Sequence, residues 1–250
     1  MGIVSRVKSL QRKPVAELVE KRLNEFESFE GKGEEEWFSE LCFCILTANS
    51  KAETAIEVQK RLGQKGFLEE REAGVRDCIR AVGHRFHNNK AGFIVEARKH
   101  CCSGAGAGRQ TGVKGVVQEA KGQARGKGIV QGTKRQALVK GVKGTVQGIV
   151  KEEGEEAARE WLVENVKGLG YKEASHFLRN VGYKQLAILD RHILRLLEED
   201  GFIEEVPKSL GRKRYLEIEK KFEGIAGKIG MTAAELDLYM WYMKTGKVLK

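Results

Sequence analysis

The chain has 250 residues, of which 41% are hydrophobic and 32% are charged, and its formal net charge is +10. This length can bury a sizeable core as one or two domains. No apolar run reaches the roughly 18 residues that a membrane span needs, and the N-terminus lacks a secretory apolar region, so we expect a cytoplasmic protein without a membrane partner.

Apolar residues recur at helical spacing along most of the chain, and no strand-length run alternates Val or Ile with polar residues. This pattern predicts an all-α fold. Thr232, followed three residues later by Glu235, predicts a capping box for the last helix. The ten predicted helices span residues 14–29, 34–48, 52–62, 71–82, 90–100, 155–166, 172–181, 190–199, 213–229 and 233–243.

The five cysteines all lie in the first part of the chain, at positions 42, 44, 78, 101 and 102. Cys42 and Cys44 fall in an apolar helix, which favours buried reduced thiols. The run His100-Cys101-Cys102 is a weak zinc pattern, because adjacent cysteines chelate one tetrahedral ion poorly. We therefore predict no metal site and no metal cofactor.

Residues 103–150 differ in composition from the rest of the chain. They hold twelve of the 30 glycines, and nine Lys or Arg residues against the single acidic Glu119, so +8 of the net charge lies here. A decayed Gly-x-Val-Gln repeat runs through them. We interpret 103–150 as a low-complexity basic insertion that is mostly disordered. It either strengthens binding to nucleic acid by neutralising phosphates or has no role.

A glycine hairpin, Lys167-Gly168-Leu169-Gly170-Tyr171-Lys172, joins two predicted helices. Glycines permit positive φ angles, and the start of the second helix offers free amide groups and the positive end of its dipole to an anion. The hairpin therefore predicts a phosphate-binding turn that uses Gly168 and Gly170. The alternative is an ordinary αα-hairpin with a glycine cap.

Lys172 and Asp190 are the candidate catalytic pair. Lys172 lies in the first turn of its helix, where the dipole and partial burial favour a neutral, nucleophilic amine; the alternative is a solvated surface lysine. Asp190 comes eighteen residues later and directly precedes another helix, so it is also a good N-cap. One carboxylate can serve both roles.

The segment 166–197, which contains this hairpin and Ile-Leu-Asp190-Arg-His-Ile-Leu-Arg, resembles the helix-hairpin-helix DNA glycosylase superfamily. It is most similar to the archaeal-type 8-oxoguanine DNA glycosylase/AP lyases. Segments 37–50, 83–86 and 235–250 support the same resemblance. It implies two helical subdomains with a DNA-binding cleft between them: residues 33–182, interrupted by the insertion, and residues 1–32 together with 183–250.

The resemblance also implies a reaction. Lys172 attacks C1′ of the damaged nucleotide to give a Schiff base, while Asp190 stabilises positive charge on the sugar or accepts the proton of the lysine. β-Elimination then nicks the strand. The expected partner is double-stranded DNA that contains oxidised guanine, bound by a monomer, and the reaction needs no cofactor.

For the base pocket, the resemblance implies that Phe86 and Trp241 sandwich the flipped purine. Asp237 and the terminal Lys250 match pocket positions, and the α-carboxylate of Lys250 would accept the N7–H that 8-oxoguanine has and guanine lacks. Asn49 matches a residue that fills the gap left by the flipped base. Alternatives stay open: core packing for Phe86 and Trp241, and a helix C-cap for Asn49.

Two other functions compete with this one. The first is a glycosylase of the same fold that acts on another lesion, such as an oxidised pyrimidine or a mispaired adenine. The second is a non-catalytic module that uses the hairpin only to hold a phosphate.

Overall fold

The computed structural model describes residues 2–101 and 141–250, and within them every regular element is helical. The all-α prediction is confirmed. None of the helices in these ranges is long and apolar enough to cross a membrane. In chain order the helices are α1 Ile3–Leu10, α2 Val15–Glu27, α3 Glu34–Thr47, α4 Ala52–Glu69, α5 Glu72–Ala81, α6 His87–Cys101, α7 Val142–Glu153, α8 Glu155–Asn165, α9 Tyr171–Asn180, α10 Arg191–Glu199, α11 Arg212–Ile229 and α12 Ala233–Thr245.

Two helices were not predicted, and the first of them is α1. It is only eight residues long, but Ile3 and Val7 are completely buried on one of its faces. The main-chain N–H of Ile3 donates to the carboxylate of Asp200, which therefore caps the helix from the end of α10. A short helix of this kind depends on tertiary contacts rather than on its own propensity.

The second unpredicted helix, α7, corrects the C-terminal limit of the predicted insertion. Residues 142–150 are helical, and Val142 and Val146 are completely buried. Their spacing continues to Ile149 and Val150, but the glycines of the surrounding repeat obscured this helical period. The prediction of disorder was therefore wrong for this part, whereas residues 103–140 lie outside the described residues.

The start of α7 is fixed by residues far away in the chain. Both carboxylate oxygens of Glu34 are occupied: Oε2 accepts from Lys143 N at 2.8 Å and Oε1 accepts from Gly144 N at 2.9 Å. Lys143 Nζ donates to the carbonyl oxygens of Glu30 and Lys32 at 2.8 and 2.7 Å. The carboxylate satisfies amide groups that a helix N-terminus leaves open, so α7 begins where it meets α3.

The helices build two hydrophobic cores. One contains buried residues from Trp37 to Leu186, and the other combines α1 and α2 with residues from Ala187 to Met240. The division into residues 33–182 and residues 1–32 with 183–250 stays a prediction. The change from the first core to the second falls between Leu186 and Ala187.

A buried ion pair joins the two cores. Arg159 of α8 donates through Nη1 to Oε1 of Glu219 in α11 at 2.6 Å, and both side chains are less than 5% exposed. The same Glu219 oxygen accepts from Ala187 N at 3.0 Å. The guanidinium of Arg159 also lies 5.4 Å from the ring centroid of Tyr171, next to Lys172. The pair therefore connects α8 and the first turn of α9 with α11.

Candidate active site

The hairpin between α8 and α9 forms as predicted. Gly168 has φ +90°, and a Cβ at this position would overlap the ring of Phe93 in α6, so glycine is required for two separate reasons. Gly170 is the N-cap residue of α9 and has no side chain to bond the first amide groups of that helix. These amide groups and the positive end of the dipole suit a phosphate.

A cleft of about 490 Å³ opens beside the first turn of α9. Five residues that the sequence singled out line it: Lys172, Asp190, Asp237, Trp241 and Lys250. They come from α9, from α12, from the N-cap of α10 and from the end of the chain. The cleft is also lined by Thr47, Ser50, Lys51, Ala52, Glu53, His176, Arg179, Ile188, His192, Thr245, Lys247 and Leu249.

Lys172 is partly buried at the wall of this cleft. Its side chain is 26% exposed, and Nζ lies 3.5 Å from Oε1 of the neighbouring Glu173. Lys172 is therefore not a fully solvated surface lysine, and its ion pair with Glu173 is not a tight one. A primary amine in this position can reach a ligand that enters the cleft.

Asp190 caps α10, as the sequence predicted. Its Oδ1 accepts hydrogen bonds from His192 N and Ile193 N, both at 2.8 Å. Since the cap uses only one carboxylate oxygen, Asp190 can cap the helix and still act on a ligand in the cleft. The next wall residue, His192, stacks edge-on against Trp241 with ring centroids 5.0 Å apart.

Asp237 is 3% exposed and forms an ion pair with Arg179 of α9. Burial raises the pKa of its carboxyl group to about 6, although the guanidinium opposes this shift. Arg179 also donates through Nη2 to Asn180 Oδ1 at 2.9 Å. Asp237 therefore belongs to a buried polar network as well as to the cleft wall.

His176 lies on the wall of the cleft one helical turn from Lys172, and no role was predicted for it. Burial keeps the pKa of its ring well below the ordinary value, and the positive charges of Arg179, Lys172 and Lys250 act in the same direction. The imidazole is therefore neutral at pH 7. Its Nδ1 has no hydrogen-bond partner among the described residues, and the same holds for Nε1 of Trp241.

Besides the two hairpin glycines, two predicted residues do not line the cleft. Phe86 is 41% exposed on the loop between α5 and α6, 6.4 Å from the ring of His84, so core packing is excluded for it, and the sandwich with Trp241 is not formed in this structure. Asn49 is exposed between α3 and α4 with φ +58°, a conformation common just after a helix. Its neighbour Ser50 does line the cleft.

The C-terminal end of α3, which leads to Asn49, is capped by two side chains that sequence reasoning missed. His84 Nε2 lies 3.0 Å from the Leu46 carbonyl oxygen, and Lys90 Nζ donates to the Ile45 carbonyl oxygen at 2.6 Å. Burial lowers the pKa of Lys90 to about 8. Cationic and donor groups are favourable at this end of a helix, so they fix the turn at Asn49, which comes directly before the cleft residue Ser50.

Cys42 and Cys44 are buried on α3, as expected. Residues 2–101 and 141–250 contain no group of three or more His, Cys, Asp or Glu side chains arranged to hold a metal ion. Cys102, part of the weak zinc pattern, lies outside these ranges.

Known proteins resemble this chain along its whole length. Residues 19–146 and 122–231 match the family model described as 8-oxoguanine DNA glycosylase. The 8-oxoguanine DNA glycosylase/AP lyase of Methanocaldococcus jannaschii is 41% identical over 250 residues, covering 100% of both chains. That of Thermotoga maritima is 38% identical over 240 residues, covering 96% of this chain and 95% of its relative.

Solved structures agree with the sequence matches. The crystal structure of the Methanocaldococcus jannaschii enzyme in complex with a 15mer DNA containing 8-oxoguanine has a TM-score of 0.80 at 41% identity and covers 99% of each chain. The Thermotoga maritima 8-oxoguanine DNA glycosylase has a TM-score of 0.76 at 36% identity, with 99% of this chain and 98% of that chain covered. These matches extend over both hydrophobic cores and the cleft, and the chain belongs to the 8-oxoguanine DNA glycosylase family.

Proposed function

We propose that this protein removes 8-oxoguanine from duplex DNA and cleaves the strand at the resulting site. One observation carries the proposal: an amine, Lys172, and a carboxylate, Asp190, line the same cleft from helices that belong to the two different cores. A cleft of this size accommodates an extruded nucleotide. The names of the relatives support the choice of 8-oxoguanine as the base.

In the proposed reaction, the neutral amine of Lys172 attacks C1′ and forms a C–N bond as the bond from C1′ to the base breaks. The lysine nitrogen loses one proton after the attack and the departing base takes one up, while Asp190 either carries this proton or stabilises the positive charge that develops on the sugar. The ring oxygen takes the remaining N–H proton as the sugar ring opens to a Schiff base. Loss of a proton from C2′ then expels the 3′ phosphate, so the strand is cut by β-elimination.

The glycine hairpin would bind the DNA backbone. Gly168 and Gly170 leave the amide groups at the start of α9 accessible, so a phosphate bound there sits next to Lys172. The exposed Phe86 and the turn at Asn49 would contact the DNA around the flipped nucleotide. Phe86 can stack on the base only if its loop moves towards the cleft or if the base moves out towards Phe86.

The base itself would lie against Trp241, whose indole ring forms part of the cleft wall. The α-carboxylate of Lys250 would accept the N7–H that only the oxidised base carries, a charge-assisted hydrogen bond. Asp237 is already paired with Arg179, so we assign it to fixing this wall and, because it lines the cleft, to contact with the base.

The competing functions make different use of the same residues. A module that only holds phosphate needs the hairpin but not Lys172 and Asp190 in one cleft, which favours an enzyme. A glycosylase for another lesion would use the same pair with a different base pocket. We also propose that the protein acts as a monomer. We place it in the cytoplasm, because the proposed substrate is chromosomal DNA and the relatives come from organisms without a nucleus.

Borohydride trapping on three duplexes distinguishes these functions. The duplexes contain 8-oxoguanine, thymine glycol or an abasic site, and borohydride reduces a Schiff base to a stable covalent complex. We expect trapping on 8-oxoguanine and on the abasic site, and none on thymine glycol. Preferential trapping on thymine glycol would indicate another lesion, and no trapping on any duplex would indicate a binding module.

Two variants complete this experiment. Lys172→Gln should abolish trapping but retain DNA binding, because the phosphate is held by backbone amide groups. Lys228→Gln, on the exposed side of α11, removes the same charge away from the cleft and should behave as the wild-type protein does.

A further inference from the structure

Lys250 lines both the cleft and a second groove, which is lined mainly by residues of α3 and α4. Its Nζ donates to Oε2 of Glu40 and to Oε1 of Gln59, both at 2.8 Å. It also lies 4.3 Å from the ring centroid of Phe43. Three side chains of α3 and α4 therefore surround one ammonium group at the end of the chain.

We propose that Glu40, assisted by Gln59, is a positioning residue for base recognition: by holding the ammonium group of Lys250, it fixes where the α-carboxylate of the chain enters the cleft. This inference rests on the proposed function, in which that carboxylate reads the N7–H of the oxidised base. Glu40 itself would not touch the substrate.

The segment after α12 needs such an anchor. Residues 247–250 follow the C-cap at Gly246, so the hydrogen bonds of the helix do not hold them in place. A hydrogen bond that discriminates between two bases needs its acceptor held to within about 0.5 Å. The ion pair between Lys247 and Glu53 is exposed on both sides and is therefore too weak to provide this precision.

Burial makes the contact with Glu40 much stronger than a surface ion pair. Glu40 is 1% exposed, and the side chain of Lys250 is only 23% exposed. The second oxygen of Glu40 accepts from Asn180 Nδ2 at 2.6 Å, so the carboxylate cannot turn away from the lysine without losing that bond. A buried carboxylate with two fixed donors is a rigid support.

His176 also lines the cleft, and its buried ring stacks edge-on against Phe43, the ring that faces Lys250 Nζ, with centroids 5.7 Å apart. Asn180 also connects Glu40 to Arg179 and from there to Asp237. One continuous polar network thus joins Lys250 to Asp237 in the cleft wall.

The test compares two rates in single-turnover experiments: excision of 8-oxoguanine from a duplex, and strand cleavage at a preformed abasic site, which has no base to recognise. Lys250→Met retains the α-carboxylate and the apolar stem but loses the ammonium group. Glu40→Gln loses the charge and keeps an oxygen for Asn180. We expect each variant to slow excision about tenfold or more and to leave abasic-site cleavage within about twofold.

The double variant Glu40→Gln with Lys250→Met should be no slower than the slower single variant, because both changes remove the same contact. Lys250→Arg should retain most of the selectivity, since arginine also pairs with a carboxylate. Lys244→Met, which breaks a pair with Glu199 outside the cleft, is the control and should leave both rates unchanged. Should Glu40→Gln not fold, Lys250→Met and Gln59→Leu decide the question.

Unchanged excision by Lys250→Met, or additive effects in the double variant, would overturn the inference. Appending one glycine after Lys250 keeps the ammonium contact but moves the carboxylate by about 3.5 Å. Loss of selectivity in this extended chain, combined with normal selectivity in Lys250→Met, would support the carboxylate and refute the anchor. Failure of the wild-type protein to excise 8-oxoguanine would instead refute the proposed function.

Discussion

The ion pair between Arg159 and Glu219 offers a quantitative prediction about how the two cores are joined. Glu219→Gln leaves a guanidinium that is about 1% exposed with only Ser175 Oγ at 3.3 Å and the rings of Tyr171 and Tyr215 as neighbours. Removal of one partner of a buried pair costs about 3–5 kcal/mol. Because the glutamine oxygen can still accept one neutral hydrogen bond, we expect a loss near 3 kcal/mol.

The assay is urea denaturation at pH 7, with the free energy of unfolding extrapolated to zero denaturant. The double variant Arg159→Met with Glu219→Met should recover most of the loss, because Nε of Arg159 has no hydrogen-bond partner among residues 2–101 and 141–250 and the pair is therefore imperfectly satisfied. Glu57→Gln, which breaks the exposed pair with Arg61, is the control and should cost less than about 1 kcal/mol. A loss below about 1 kcal/mol for Glu219→Gln would refute this account of the junction.

Three further predictions concern the hairpin, the carboxylate and the insertion. Gly168→Ala should destabilise the protein by about 1–3 kcal/mol, because it combines a positive φ with a clash against Phe93. The control Gly148→Ala, in open space on α7, should stabilise it by up to about 1 kcal/mol. Equal thermal denaturation midpoints for the two variants would contradict this. Asp190→Asn should keep the cap on α10 and the fold but reduce base excision by about 100-fold or more, and activity within a few-fold of wild type would mean that Asp190 is only a cap. Deletion of residues 104–139, which spares α7, should retain excision at low salt and reduce the slope of DNA affinity against salt concentration; an unchanged slope would show that the segment does not touch DNA.

Local sequence signals predicted the parts of the site that depend on short-range chemistry. The spacing of two glycines before a helical period located the hairpin, and a carboxylate directly before an amphipathic run located the cap at Asp190. Lys172 follows from its place in the first turn of α9. These features could be predicted because each is determined by residues within a few positions of one another.

Contacts between distant residues could not be predicted in the same way. Glu40 and Lys250 are 210 positions apart, and Arg159 and Glu219 are 60 apart, so no periodicity connects them. The cap that Glu34 provides for α7 has the same character, which is why that helix was interpreted as part of a disordered insertion. Phe86 matched a pocket position in the sequence, but its loop lies away from the cleft in this structure.

Mapping the trapped complex identifies the residue that forms the Schiff base, which we expect to be Lys172. The protein is reduced with borohydride on a duplex that contains 8-oxoguanine, digested with nuclease and trypsin, and analysed by mass spectrometry. Trypsin cannot cleave after a lysine that carries a sugar adduct, so we expect a modified peptide spanning residues 168–179. An adduct on another lysine of the cleft, Lys51, Lys247 or Lys250, would contradict it.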